Sequence, residues 1–288
     1  MRILITGSSG FIGSHLKEKL HRTPSCEVFG LISPSCKNNQ GIQCELTNKN
    51  NVLAVLRELQ PNVIFHLAGS FSNHFSTDFN NNVVTTQNII ESIIELDIGS
   101  RLITIGSAAE YGVIDLKSSA PITETHPTAP CLVYGLTKLY QTNLCQFYTR
   151  TKDIDIVIAR LFNVFGKGAS EKLFVGKLEK KIIDYKSGKN KRIKLHNVNT
   201  FRDYLHVCCV SEELIKIMKY GIKGEIYNVG SGHPIQILEL SKKILAEYEL
   251  DESALELELD CEDLKDKDNV QMIYADISKI KSLGEDRV

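Results

Sequence analysis

The chain has 288 residues, 24% of them charged, and a formal net charge of -1, a balance that argues against nucleic acid or a membrane surface as its main partner. Hydrophobic residues make up 42%, ample core for one large domain or one and a half, and no apolar run is long enough to span a bilayer. Met1 leads directly into an apolar run, so no signal peptide is expected, and the eight cysteines show neither C-x-x-C nor Cys/His ligand spacing; they read as reduced, mostly buried thiols of a cytoplasmic protein that holds no metal.

Residues 2–6 form a short, β-branched apolar run, predicted as a buried strand, and 11–20 as the helix after it. Between them lies Gly7-Ser8-Ser9-Gly10-Phe11-Ile12-Gly13. A helix start presents unpaired N–H groups and the positive end of its dipole, so a pyrophosphate can sit there if nothing larger than glycine blocks the approach. The spacing is G-x-x-G-x-x-G rather than the G-x-G-x-x-G of ordinary dinucleotide folds. A second strand is expected over 28–32, followed by Ser33-Pro34-Ser35-Cys36-Lys37. The carboxylate that grips the ribose hydroxyls in NAD enzymes is missing there; Ser33, Ser35 and Lys37 suit a 2′-phosphate, which favours NADP(H) over NAD(H).

Helices over 48–59 and 82–96 alternate with strands over 63–67, 101–105 and 155–160. This rhythm to about Gly166 predicts an α/β protein, a Rossmann-type doubly wound parallel sheet. Ser107 follows the strand at 101–105, and Tyr134 and Lys138 stand four apart on a helix that runs to about 149, hence on one face. A tyrosine with an ordinary pKa of about 10 exchanges protons poorly at neutral pH, and a nearby ammonium favours its phenolate. Lys138 is expected to do this while binding the nicotinamide ribose, with Ser107 donating to the substrate oxygen that Tyr134 protonates or deprotonates. The structural alternative is a surface tyrosine beside a solvated lysine. Past Gly166 the pattern changes to a lysine-rich helical stretch over 172–189, short strands at 193–195 and 202–206, and an acidic segment over 247–268; these charge runs read as solvated faces.

The chain resembles an extended short-chain dehydrogenase/reductase of the nucleotide-sugar epimerase, dehydratase and reductase group. The segments that carry the resemblance run in family order over nearly the whole chain: Thr6-Gly7 to Gly13, Phe65-His66-Leu67-Ala68-Gly69, Asn82-Val83 with Thr86-Gln87-Asn88, Gly106-Ser107-Ala108-Ala109-Glu110-Tyr111-Gly112, Pro121-Ile122-Thr123-Glu124, Tyr134 to Lys138, Arg160-Leu161-Phe162-Asn163-Val164-Phe165-Gly166, Arg202-Asp203-Tyr204, and Tyr227-Asn228-Val229-Gly230-Ser231-Gly232. The resemblance implies a Rossmann domain over 1–166, completed by part of 205–230, and a smaller C-terminal α/β substrate-binding lobe over 167–204 and 231–288. It implies cofactor contacts from Gly7, Ser9, Gly10, Phe11, Ile12, Ser33, Lys37, Glu45, Leu46, Leu67, Ala68, Gly69, Asn82, Tyr134, Lys138 and Leu161. Glu45, where the family usually has an aspartate near the adenine, also reads as a helix-start carboxylate.

Relatives that dehydrate the sugar carry an acidic residue just after the catalytic hydroxyl residue, and those that epimerise while reducing carry a cysteine where Ala109 stands. Ala108 and Ala109 can move no proton. What is left is hydride transfer at C4, either net reduction of a 4-keto-6-deoxy sugar with NADPH or the oxidise-rotate-reduce cycle of an NAD-dependent 4-epimerase. The missing acid after the second strand leans toward the reductase, and the segments at 106–112 and 196–204 look most like the GDP-4-keto-6-deoxymannose reductases. Ser107, Glu110, Asn163, Lys177 and Arg202 are the substrate-side candidates. Glu110 reads as a sugar ligand or a loop carboxylate, and Arg202 as a diphosphate clamp or an ion pair with Asp203. Relatives often pair through the helix bearing the tyrosine, so a homodimer is expected. The chain departs from the family at Cys208-Cys209, which replace an acidic pair, and ends at Val288 before the usual tryptophan-proline turn, so the lobe is expected to be C-terminally shortened. From another class, a non-catalytic NADP-binding regulator would typically have lost the tyrosine and lysine.

Overall fold

The computed structural model describes residues 1–23, 25–36, 41–112, 121–196, 198–257 and 272–284; the cofactor candidate Lys37 lies outside them. The first half alternates: β1 (Arg2–Thr6), α1 (Phe11–His21), β2 (Glu27–Ile32), β3 (Ile42–Gln43), α2 (Lys49–Leu59), β4 (Val63–His66), α3 (Phe75–Phe79), α4 (Thr85–Glu95), β5 (Arg101–Ser107), α5 (Val133–Lys152) and β6 (Ile156–Leu161). The second half continues as β7 (Asn163–Phe165), α6 (Phe174–Lys186), β8 (Ile193–Leu195), β9 (Phe201–His206), α7 (Val207–Tyr220), β10 (Ile226–Val229), β11 (Pro234–Gln236), α8 (Ile237–Glu247), β12 (Leu255–Leu257), β13 (Met272–Ile273) and α9 (Ser278–Lys281).

Seven strands, in the order β10-β6-β5-β4-β1-β2-β3, form one sheet in which every pairing is parallel. Strand alternation sorts the apolar residues into two cores. Ile3, Ile5, Phe65, Ile103 and Val157 pack with Leu214 and Ile217 of α7 on one face. Leu4, Ile64, Leu102 and Ile158 pack with Leu56 and Ile90 of α2 and α4 on the other. Burial on both faces explains why the strands read as continuous apolar runs. The chain order reverses between β1 and β4, and ligands of open α/β sheets bind at the carboxyl ends of strands at such a switch point.

The lobe is built on a second sheet, β11-β9-β13, with β7 also paired to β9. Its own core places Val175, Leu178 and Ile182 of α6 against Leu240 and Ile244 of α8. Fully buried Asp203 on β9 ties this second sheet to the turn after β10 and to the segment after β13. One carboxylate oxygen accepts from the Ser231 N–H and hydroxyl, and the other from the N–H groups of Gly232 and Ala275.

Three features differ from the sequence expectation. The helix expected from 82 begins at Phe75 and runs through one wide turn at 80–84 into α4, because Asp78 folds its carboxylate back onto the preceding loop. The last helix, expected in the lobe, packs Ile280 and Leu283 into the first core beside α7. The thiols are not mostly buried: among the described cysteines only Cys44 and Cys145 are, while Cys131, Cys208 and Cys209 are exposed. The pair at 208–209 occupies the first turn of α7, whose apolar contacts come instead from Val207, Val210 and Leu214.

Candidate active site

The glycine turn sits at the switch point. Gly7 has φ +65, and a Cβ there would lie 2.8 Å from the Ala68 nitrogen, so a larger residue would push the turn off the end of β4. That close approach leaves a backbone cradle into which the first-turn N–H groups of the 11-residue α1 point, the donor set and dipole that suit a dinucleotide pyrophosphate. Gly10 and Ser9 are exposed at its rim, with Phe11 and Ile12 half-buried beneath. Leu67, Ala68 and Leu46 are half-buried and Gly69 is exposed along the other wall. Leu161 ends β6 in register with Ser107. Exposed Ser33 shares a 2.8 Å hydrogen bond with Ser35. Glu45 accepts from the Thr47 N–H and hydroxyl at 3.2 and 2.8 Å, so it already has a local role at the turn before α2.

Asn82 is a correction. It is 1% exposed, and its amide is committed to protein: Oδ1 accepts from Ser70 N, and Nδ2 donates to Ser70 O and Thr137 Oγ1. It ties the loop after β4 to α5 and offers a cofactor nothing. Asp78 acts beside it, accepting from the Ser70 and Ser72 hydroxyls and the N–H groups of Ser72 and Asn73. Burial pushes its carboxyl up, but these bonds outweigh burial and hold it below the usual range. The loop so fixed places Phe71 edge-on to the Tyr134 ring at 4.9 Å and Asn73 under the Tyr134 N–H.

Tyr134 and Lys138 share the first turns of α5, and Gly135 brings that helix onto the Ser107 turn: a Cβ at 135 would lie 2.4 Å from the Ala109 carbonyl oxygen. Burial pushes the Tyr134 phenol up to about 12, against the Ser107 hydroxyl, which hydrogen-bonds it and pulls the value down. The expectation that Lys138 lowers this pKa is corrected by the geometry. Lys138, 5% exposed, points its ammonium at Gln141 Oε1, 2.5 Å away, and its own pKa falls to about 8, chiefly through burial. At neutral pH the site therefore holds a protonated phenol beside an ammonium.

Glu110 is the second correction, because it neither reaches a sugar nor sits on a surface loop. It is fully buried; Oε1 accepts from Ser107 N at 2.7 Å, while Oε2 accepts from Thr142 Oγ1 and from Arg160 Nε and Nη2. Arg160 in turn stacks its guanidinium 4.6 Å from the Tyr111 ring centroid. The cluster closes the short helical turn after β5 and fixes the backbone of Ser107. On the lobe side, Asn163 donates to the Asp203 carbonyl. Arg202, half-buried, donates to its neighbour's carbonyl, Phe201 O, at 2.8 Å; the Asp203 carboxylate is spent on Ser231, Gly232 and Ala275 rather than on it. Lys177 is exposed on α6 and lines a cleft with Phe71, His74 and Lys172, so it faces the loop that flanks Tyr134.

His66, at the end of β4, carries a consequence that its spacing did not signal. It is 1% exposed, bonded through Nδ1 to Thr6 Oγ1 at 2.7 Å and through Nε2 to Thr85 Oγ1 at 3.3 Å. Burial, with help from the Lys138 charge, lowers its pKa from 6.5 to about 3. Between these values the unfolded chain binds a proton that the folded protein refuses, so stability falls as pH drops through that window. Urea unfolding at pH 5 is expected to give about 2 kcal/mol less stability than at pH 7 from this group. His66→Gln should flatten the slope; an unchanged slope in the variant would exclude His66 as its source.

Residues 3–230 match the NAD dependent epimerase/dehydratase family. A putative UDP-glucose 4-epimerase of Methanocaldococcus jannaschii is 28% identical, over 98% of this chain and 92% of that protein. A GDP-6-deoxy-D-talose 4-dehydrogenase of Aggregatibacter actinomycetemcomitans is 29% identical, over 81% and 75%. Among solved structures, RMD from Pseudomonas aeruginosa complexed with NADPH superposes with a TM-score of 0.83 at 22% identity, covering 98% of this chain and 92% of that one.

Proposed function

Since the chain belongs to the NAD dependent epimerase/dehydratase family, we propose that it reduces the C4 keto group of a nucleotide-activated 4-keto-6-deoxy sugar, GDP-linked, with NADPH. The observation that carries this reading is the Ser107 turn: Ala108 and Ala109 have no proton to move, and Glu110 is locked inside with Arg160. Dehydration or epimerisation at a neighbouring carbon needs an acid or base there. The nicotinamide supplies a hydride when bound at the cradle. Tyr134, held as a phenol by burial, donates its proton to the C4 oxygen as negative charge develops on it. The Ser107 hydroxyl holds the same oxygen, and Lys138 is assigned to the nicotinamide ribose. The GDP preference draws support from the talose dehydrogenase likeness, and NADPH from the missing acid after β2 and from the RMD complex. Asn163, Lys177 and Arg202 are assigned to the sugar and diphosphate.

A homodimer in the cytoplasm completes this reading. Phe75 on α3 and Tyr140 and Phe147 on α5 are exposed, an apolar face of the kind that pairs helices, and no helix among the described residues is long and apolar enough to cross a membrane. The test is NADPH absorbance decay with GDP-4-keto-6-deoxymannose generated in place by a dehydratase, run beside the dTDP and CDP counterparts. Decay with the GDP sugar is the expected result. A second reading, NAD-dependent 4-epimerase, draws on the M. jannaschii likeness; it would prevail if UDP-glucose were converted to UDP-galactose without added cofactor and no 4-keto sugar consumed NADPH.

A further inference from the structure

A helix packed on a sheet ordinarily buries an apolar stripe, but the buried side chains of α5 are Thr137, Lys138, Gln141, Thr142 and Cys145. Most of them have partners on neighbouring elements. Thr137 Oγ1 accepts from Asn82 Nδ2 at 3.0 Å, Thr142 Oγ1 donates to Glu110 Oε2 at 2.9 Å, and Cys145 Sγ shares a hydrogen bond with Thr104 Oγ1 at 3.7 Å. Gln141, 2% exposed, differs. Three residues after Lys138, it stands on the same face of the helix, and its Oε1 accepts from Lys138 Nζ at 2.5 Å. Its Nε2 is buried with no hydrogen-bond partner among the described residues.

An unpaired buried donor costs stability that an apolar side chain of similar size would not. The amide is oriented by the lysine, since turning it over would set N–H donors against an ammonium. Gln141 therefore serves Lys138 rather than the core. An acceptor on Nζ fixes where the charge sits and favours the charged form. The titratable groups around Lys138 are His66 on β4, Glu110 after β5 with its partner Arg160 on β6, and Tyr134 and Cys145 on α5 itself. Burial lowers His66 to about 3 and raises Tyr134 and Cys145 to about 12. Glu110 is committed to Ser107 N, Thr142 and Arg160. Lys138, lowered to about 8, is then the member of this cluster whose charge changes between about pH 6 and about 9.5.

We propose that Gln141 is a positioning residue of the cofactor site, its amide oxygen aiming the Lys138 ammonium and keeping it charged for the nicotinamide ribose. The inference rests on the assignment of Lys138 to that ribose. NMR of the full chain carrying isotope-labelled lysine, with the Lys138 signal identified by its loss in Lys138→Met, reads the charge without any turnover. Fluorescence titration with NADH and with NADPH across the same pH range reads the affinity. In the wild type the Lys138 signal should titrate near 8, and cofactor affinity should fall with it. Gln141→Met should move both midpoints down by about one pH unit, the size of one hydrogen bond to a charged group. Gln141→Glu keeps the acceptor and adds a negative charge, so it should move both midpoints up.

An unmoved midpoint in Gln141→Met, while wild-type affinity follows the Lys138 signal, overturns the role of Gln141 and leaves Lys138 on the ribose. Shifts of the two variants in one common direction also overturn it, because a packing disturbance does not follow the sign of the substituted group. If the Lys138 signal titrates but the affinity for neither cofactor follows it, the ribose assignment fails and the role of Gln141 with it.

Discussion

Replacing Tyr134 with phenylalanine is expected to lower turnover in the proposed 4-keto sugar reduction by about 10²- to 10⁴-fold, the range for loss of a positioned proton donor, while the nicotinamide cofactor still binds and the fold persists. The ring is half-buried and packs edge-on to Phe71 at 4.9 Å, a contact phenylalanine keeps. What disappears is the phenol that burial holds protonated to about 12, the only acid on the first turn of α5. The same geometry sets a pH limit. Lys138 loses its proton near 8, so the wild-type rate should fall above that pH as the ammonium assigned to the nicotinamide ribose disappears. Single-turnover kinetics across pH 6 to about 9.5, with cofactor binding followed separately, would check both statements. A variant within tenfold of wild type would remove Tyr134 from the chemistry.

Arg160→Met is expected to destabilise the protein by about 3–5 kcal/mol, the loss that follows when one member of a buried ion pair is removed and the other stays charged. Glu110 is fully buried and Arg160 is 2% exposed, and they meet through two bonds, at 3.1 and 2.7 Å. Methionine fills much of the arginine volume, so the expected loss is electrostatic rather than a cavity. The double variant Glu110→Gln/Arg160→Met should recover a large part of the stability, because no bare charge is left inside. Urea denaturation of the two single variants and the double gives the coupling energy. Additive losses would mean that the pair contributes nothing beyond its packing. Since Glu110 also accepts from Ser107 N at 2.7 Å, the double variant should still turn over more slowly than wild type: glutamine holds that backbone less firmly.

Much of the frame was legible because its signals are local. Continuous apolar runs at β1, β4 and β6 follow from burial on both faces of a parallel sheet, and the glycine turn between β1 and α1 is a backbone requirement written in adjacent residues. Tyr134 and Lys138 needed only the helical period to share a face, and Ser107 only the end of a strand. Single polar residues misled. Glu110 and Asn82 carry motif positions, yet their roles depend on partners tens of residues away, Arg160 and Thr142 for one and Thr137 for the other. Asp78 and His66 gave no signal of the networks they anchor.

The amino-acid sequence by itself determined the parallel sheet, the nucleotide cradle and the identity of the hydroxyl, phenol and ammonium groups, since each follows from spacing within one strand, turn or helix. Tertiary structure alone decided which carboxylates are available and how the phenol and the ammonium are poised. Desolvation and hydrogen bonding depend on what packs against a group, and here those neighbours come from distant parts of the chain: Glu110 against Arg160, Asp203 against Ala275.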